Sequence, residues 1–164
     1  MTTAKITPFL WFDGKAEEAA RFYTSLFPNS NILALEHWGE GGHFPKEWVR
    51  NATFELNGQP FYAFDAGPMF TFNPSVSFFV VCETESETTM VWEALLEGGE
   101  VLMALDVYDW SPKYGWLKDR FGVSWQVSQG SISEVGQKFT PTLLFTGAQA
   151  GKAEAAVQFY TSVF

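Results

Sequence analysis

The stretch TPFLWFDGKAEEAARFYTSLF at residues 7–27 returns at the end of the chain, as TPTLLFTG at 140–147 and KAEAAVQFYTSVF at 152–164. Setting aside the four residues Ala148 to Gly151, 14 of 21 positions are identical, far more than chance produces. In the first copy, Ile6 to Phe12 predicts a strand closed by Asp13-Gly14. Asp13 is a candidate cap for a helix whose first turn carries Glu17 and Glu18. Ala16, Ala19, Ala20, Tyr23, Leu26 and Phe27 recur at helical spacing, and Pro28 ends the element. The second copy reaches Phe164, the counterpart of Phe27, with only a strand and a helix of its own. Residues 139–164 are thus expected to be the truncated start of a second domain, or an element that completes a partner by swapping.

Outward from this unit, Ile32 to Trp38 and Trp48 to Leu56 predict strands around the glycine-rich loop Gly39 to Pro45. Asn57-Gly58 predicts a two-residue hairpin turn into Gln59 to Asp65. Ala66 to Pro74 is a connector. Ser75 to Cys82 predicts a buried strand, and Thr84 with Glu87 a capping box for the helix that Gly98-Gly99 stops. Val101 to Leu105, Gly115 to Asp119 and Val123 to Ser128 predict three more strands. The order β-α-β-β-β therefore occurs twice, at about 6–65 and 75–129. This predicts an α+β domain over residues 1–132, built from paired βαβββ modules.

The chain has 164 residues, with 46% apolar, 18% charged and 18% aromatic side chains, 17 of them Phe and 7 Trp. That composition is globular, and so many large rings imply that some line a pocket or an interface. Net charge is −9, which repels phosphate backbones and anionic membrane surfaces, so nucleic acid is not an expected partner. The N-terminus lacks an apolar secretory core, and no apolar run approaches the roughly 20 residues of a membrane span. Cys82 is the single cysteine and sits in an apolar run, as expected of a buried thiol in a reducing, cytoplasmic compartment.

The segments TPFLWFDGKAEEAARFYTSLFPNS, SVSFFVVCETESE and YGWLKDRFGVSWQV resemble the PhnB-like subfamily of the glyoxalase/bleomycin-resistance (vicinal oxygen chelate) superfamily. The resemblance covers about residues 6–129, and its start is repeated at 139–164. It implies curved mixed β-sheets that form a half-barrel cleft. The subfamily often carries the name 3-demethylubiquinone-9 3-methyltransferase. A methyl donor such as S-adenosylmethionine usually sits on a glycine-rich turn that opens a helix. Here Gly39, Gly41 and Gly42 lie between two strand candidates, so they read as a hairpin loop.

Superfamily enzymes commonly hold a divalent ion with His and Glu from strands of both modules. By this resemblance the His position falls at Thr7 and the Glu position at Gln126, neither a good ligand for such an ion. His37 and His43 fall at a strand end and in a loop. Asp65, Asp106 and Asp109 read as solvated or turn-forming, and Glu36 and Glu55 as outward-facing. No metal and no cofactor are expected. Cys82 has no histidine near it in sequence, and no serine sits in a nucleophile-elbow pattern.

The aromatic residues remain. Thr7, Phe9 and Trp11 alternate along one strand and share a face. Phe61, Phe79, Trp116, Trp125 and Gln126 come from other strands of the two modules. In the resembling family such strands curve around the cleft, so these eight residues are the candidate ligand-binding set, ordinary core and interface packing being the alternative. The Gln126 amide is suited to orienting a ligand without metal. The loop Tyr108 to Gly115 is a candidate cover for the cleft mouth, or a plain hairpin.

The expected function is metal-independent binding of a small hydrophobic or aromatic molecule. The alternatives are a lyase-, isomerase- or dioxygenase-like enzyme acting on a small metabolite, and an interaction module that uses its exposed rings for assembly. A homodimer is expected because surplus aromatic surface requires burial.

Overall fold

The structure, a computed structural model, describes residues 6–164. The N-terminal segment 1–5, with which the predicted domain begins, lies outside the described residues. The first βαβββ unit comprises β1 (Phe9–Phe12), α1 (Ala16–Leu26), β2 (Asn31–His37), β3 (Val49–Leu56) and β4 (Gln59–Asp65). The second comprises β5 (Val76–Cys82), α2 (Glu85–Leu96), β6 (Glu100–Tyr108), β7 (Ser111–Lys118) and β8 (Ser124–Gln129). A short helix α3 (Ile132–Val135), a strand β9 (Phe139–Leu143) and a helix α4 (Ala153–Val163) follow.

The strands form two sheets that do not close, in the orders β1-β4-β3-β2 and β6-β7-β8-β5-β9. In each unit the first strand lies parallel to the last, β1 on β4 and β5 on β8, and the other pairs within the unit are antiparallel. Strand β9 adds antiparallel to the outer edge of β5. The fold class is α+β with curved mixed sheets, as the sequence predicts.

Strand alternation decides which face the helices cover. In the first sheet Leu10, Phe12, Ala52, Phe54, Phe61 and Ala63 are buried beneath α1. In the second, Phe78, Val80, Leu117, Trp125 and Val127 are buried on the face that α2 covers. The two cores meet: the Trp125 ring lies 5.2 Å from Tyr23 of α1, 6.2 Å from Phe27 and 5.2 Å from Phe78. Gly115 is required where α2 crosses β7, because a methyl there would overlap the Trp92 ring.

Two buried carboxylates fix the ends of elements. Asp119, just past β7, accepts hydrogen bonds from the Phe121 and Val123 backbone N–H groups, from Tyr23 Oη at 2.6 Å and from Trp125 Nε1 at 2.8 Å. This ties α1 of the first unit to the β7–β8 turn of the second. Asp65 overturns two expectations. It is buried rather than solvated, and it, not Asp13, caps α1, accepting from Lys15 N at 2.8 Å and Ala16 N at 3.0 Å. Its other oxygen takes Val49 N at 2.9 Å. A carboxylate at the end of β4 therefore meets the positive end of the helix dipole from 50 residues away in the chain. The local signals elsewhere are as predicted. Glu87 N donates to Thr84 Oγ1 at 3.1 Å, and Asn57 and Gly58 both turn with positive φ, 48° and 77°.

Candidate ligand-binding site

The faces turned away from the helices are the ones a ligand reaches. On the first sheet, Phe9 and Trp11 of β1 meet Phe64 of β4, with ring centroids 4.7 and 4.8 Å apart. Tyr62 lies 5.8 Å from Phe9, and Phe70 of the connector 5.2 Å from Trp11. Trp11 Nε1 donates to the Gly67 carbonyl at 2.8 Å, which pins the connector against β1. Phe9 and Phe70 remain 59% and 63% exposed, so this is a surface of rings and not a core.

On the second sheet the strand register draws a row. Trp116 of β7 pairs with Gln126 of β8, which pairs with Phe79 of β5, which pairs with Thr140 of β9. Their sequence neighbours Leu117, Trp125, Val127, Phe78, Val80 and Phe139 are buried on the helix side, so the row lies on the open face. The Gln126 amide is held at both ends, Oε1 accepting from Tyr114 Oη at 2.7 Å and Nε2 donating to Ser77 Oγ at 2.7 Å. Trp116 Nε1 donates to Ser124 Oγ at 2.8 Å. Burial raises the pKa of Tyr114, with the nearby Tyr108 adding to it, so this phenol stays a neutral donor.

A cavity of about 330 Å³ opens at the seam between the sheets, bordered by Phe9 and Leu10 of β1, Phe72 of the connector, Val76 and Phe78 of β5, and Ser124. Phe9 of the ring surface borders it, and so does Ser124, which accepts from Trp116 Nε1, while Trp116, Gln126 and Phe79 themselves lie outside its lining. Its size and apolar wall suit a small organic molecule.

Among the eight residues singled out in the sequence, Phe9 and Trp11 share one open face, and Phe79, Trp116 and Gln126 the other. Phe61 is a core ring stacked on Phe54 at 5.6 Å, with one edge on a second cavity of about 410 Å³ beside Pro60 and Pro141. Trp125 is fully buried in the core. Thr7 lies in the segment before β1, and among the described residues no strand pairing carries it to Gln126. Alternation puts Phe64 with Tyr62 on one face of its strand, but it does not reveal Phe70, Ser77, Ser124 or Thr140 as neighbours of the site, nor Tyr114 as the partner of Gln126. Register with Gln126 and Phe79 identifies the polar ones, and register is a tertiary property. The Tyr108 to Gly115 segment is a β6–β7 hairpin whose Tyr108 and Trp110 rings stack at 4.9 Å, with Trp110 66% exposed.

The groups a metal enzyme requires do not fit. The polar groups around Gln126 are the Tyr114, Ser77 and Ser124 hydroxyls and the Trp116 indole, and among the described residues no group of three or more His, Cys, Asp or Glu gathers to hold an ion. His37 instead pairs with Glu17 on the surface at 2.9 Å. Gly39, Gly41 and Gly42 form the β2–β3 loop, and the element that follows them is the strand β3. Asp119 carries a carboxyl raised above its ordinary pKa by burial, which outweighs its hydrogen bonds. Both its oxygens are occupied, so its role is structural.

The profile of the 3-demethylubiquinone-9 3-methyltransferase family matches residues 4–128. A solved structure of a PhnB protein from Bacillus cereus, which carries this methyltransferase name, is 47% identical; the match covers 77% of this chain and 100% of that one, with a TM-score of 0.75. Protein PA1353 of Pseudomonas aeruginosa is 26% identical over 77% of this chain and 98% of its own, with a TM-score of 0.68. Protein YjdN of Escherichia coli is 23% identical over 137 residues, covering 75% of this chain and 93% of that protein. At the level of fold alone, the fosfomycin resistance protein FosX of Listeria monocytogenes superposes with a TM-score of 0.58 at 11% identity, over 82% of this chain and 98% of its own. Sequence and fold together place the chain in the 3-demethylubiquinone-9 3-methyltransferase (PhnB-like) family, on a glyoxalase/bleomycin-resistance-type fold.

Proposed function

We propose that this protein binds a small, flat, apolar or aromatic molecule without the help of a metal. The observation that carries the reading is an apolar cavity that takes its wall from both sheets, Phe9 from the ring surface of the first and Ser124 from the strand of the held amide in the second. Exposed Phe9 borders an apolar cavity of about 330 Å³, and Ser124, which also borders it, accepts from Trp116 Nε1 at 2.8 Å on the strand that carries the doubly anchored Gln126. Rings stack on rings, and an anchored amide fixes orientation at little entropic cost. Transfer of a methyl group finds no support in these residues, because none of them is placed as a base beside a donor site.

Residues 139–164 we read as the beginning of a second copy of the domain, and the working unit as a homodimer. With a net charge of −9 and a single buried thiol, a neutral ligand in the cytoplasm suits it better than a nucleic acid or a membrane surface.

Titration with N-phenyl-1-naphthylamine, a neutral fluorophore that brightens in apolar surroundings, tests the reading. Saturable binding at one site per chain is expected, with Trp116→Ala weakening it by roughly tenfold, the value of one lost ring contact. Non-saturable partitioning, or equal binding by the Trp116 variant, would overturn it.

A further inference from the structure

We propose that the repeat strand β9 completes the ligand site of the second unit, with Thr140 supplying a hydroxyl at the end of the Trp116–Gln126–Phe79 row for an aromatic ligand that carries polar groups at its ends. The proposal rests on the binding function above and names one more residue and a narrower ligand class for it.

In sequence, β9 is the counterpart of β1, and Thr140 is the counterpart of Thr7. The two strands are used differently. β1 runs parallel to β4, whereas β9 runs antiparallel along β5, with Phe79 opposite Thr140 and Ser77 opposite Thr142. Three anchors fix this register. Phe139 is fully buried, 4.7 Å from the Phe27 ring. Its backbone is clamped by the Gln59 side chain, which accepts from Phe139 N at 2.8 Å and donates to Phe139 O at 2.9 Å. The buried Lys138 ammonium donates to Val81 O at 3.1 Å and pairs with Glu87 at 2.6 Å. With Phe139 locked inward, alternation sends Thr140 and Thr142 to the open face.

Chemistry then defines the ligand. Thr140 Oγ1 accepts from Gln137 Nε2 at 3.3 Å, which leaves the hydroxyl hydrogen to donate. Gln126 Oε1 and Nε2 each have one anchor and one further hydrogen-bonding position. Thr140 and Gln126 stand two strand spacings apart, about 10 Å, with Phe79 between them in the register. A one- or two-ring aromatic molecule with a hydroxyl or carbonyl at either end spans that distance, lying over Phe79. Such a site draws on both copies of the repeated motif, the second supplying its first strand to the last unit of the first.

The test uses two probes on the full chain. The first is 7-hydroxy-4-methylcoumarin, bicyclic with oxygen functions at both ends, held at pH 6.5 where its hydroxyl is neutral; the second is N-phenyl-1-naphthylamine, which lacks them. Thr140→Val keeps shape and strand preference but deletes the hydroxyl. It is expected to weaken the coumarin roughly three- to tenfold, the value of one hydrogen bond, and to change the naphthylamine less than about twofold. Thr140→Ser is expected to restore coumarin affinity, a rescue that a purely structural role of the threonine would not give. Equal coumarin affinity in wild type and Thr140→Val overturns the role of β9 while naphthylamine binding leaves the broader function standing. If neither probe binds the wild-type chain, both fall.

Discussion

Asp119 shows what a single residue contributes when its partners come from both halves of the chain. Its oxygens take two backbone N–H groups of the β7–β8 turn, the Tyr23 hydroxyl and the Trp125 indole. Asp119→Asn replaces one of those oxygens with a donor, and thermal or denaturant unfolding near pH 7 is expected to show a loss of about 2 kcal/mol. The pH dependence follows from the raised carboxyl. A carboxyl whose folded pKa exceeds its unfolded value, about 3.9, stabilises the fold fully below that value. This contribution disappears as pH rises through the folded pKa, so unfolding free energy measured upward from pH 3.5 carries a declining component that the Asn variant lacks. The buried Cys82 thiol gives an independent check. Burial foremost pushes its pKa up to about 12, the nearby Lys138 opposing and Glu87 assisting. At pH 8 it is expected to ignore a disulfide-exchange reagent until the protein unfolds; rapid reaction of the native protein would contradict its place in the core.

At the scale of elements, identical motifs meet different fates. Tyr23 of α1 is fully buried against Asp119 and Trp125, while its counterpart Tyr160 of α4 is 44% exposed. Ala20 is buried, whereas Val157, at the same place in α4, is 60% exposed. The helical pattern is the same in both; what differs is the presence of a sheet beneath it. Helix α2 is secured from the other direction, by the close approach that Gly115 permits to Trp92. Gly115→Ala is expected to cost about 1–3 kcal/mol by forcing the indole aside, seen as a lower denaturation midpoint with an unchanged denaturant slope. An unchanged midpoint would show that α2 shifts freely on β7.

For the molecule as a whole, apolar surface is the unsolved term. Phe9, Phe70 and Met69 on one side, and Val157, Phe159 and Val163 on α4, are each at least 58% exposed. We read this exposed apolar surface as the place where a second copy would dock. The homodimer we propose is expected to appear by light scattering at micromolar concentration as twice the chain mass, and a monomer under those conditions would refute it. The ring surface around Phe9 also borders the candidate site, so dimerisation and ligand binding are expected to be linked, and a dimer dissociation constant that does not change with saturating probe would separate the two surfaces.

The sequence by itself determined the elements. Apolar periodicity, the Asn57-Gly58 turn, the Thr84/Glu87 cap and the internal repeat are local signals, and they suffice for two βαβββ units and their order. Alternation also puts Phe9 and Trp11 on one face, while Phe79, Trp116 and Gln126 are singled out by the family resemblance. Alternation does not say which face the helices will cover, and so Phe61 and Trp125, read with the same pattern, lie in the core. Nor does it reach across strands. Only the tertiary structure decided that Asp65 caps a helix 50 residues away, and that Thr140, and not Thr7, stands in the row with Phe79 and Gln126. Those outcomes depend on register and on which edge a strand joins. For Thr140 both are set by burial of Phe139 and the Gln59 clamp on its backbone, contacts between residues 80 apart that no local pattern encodes.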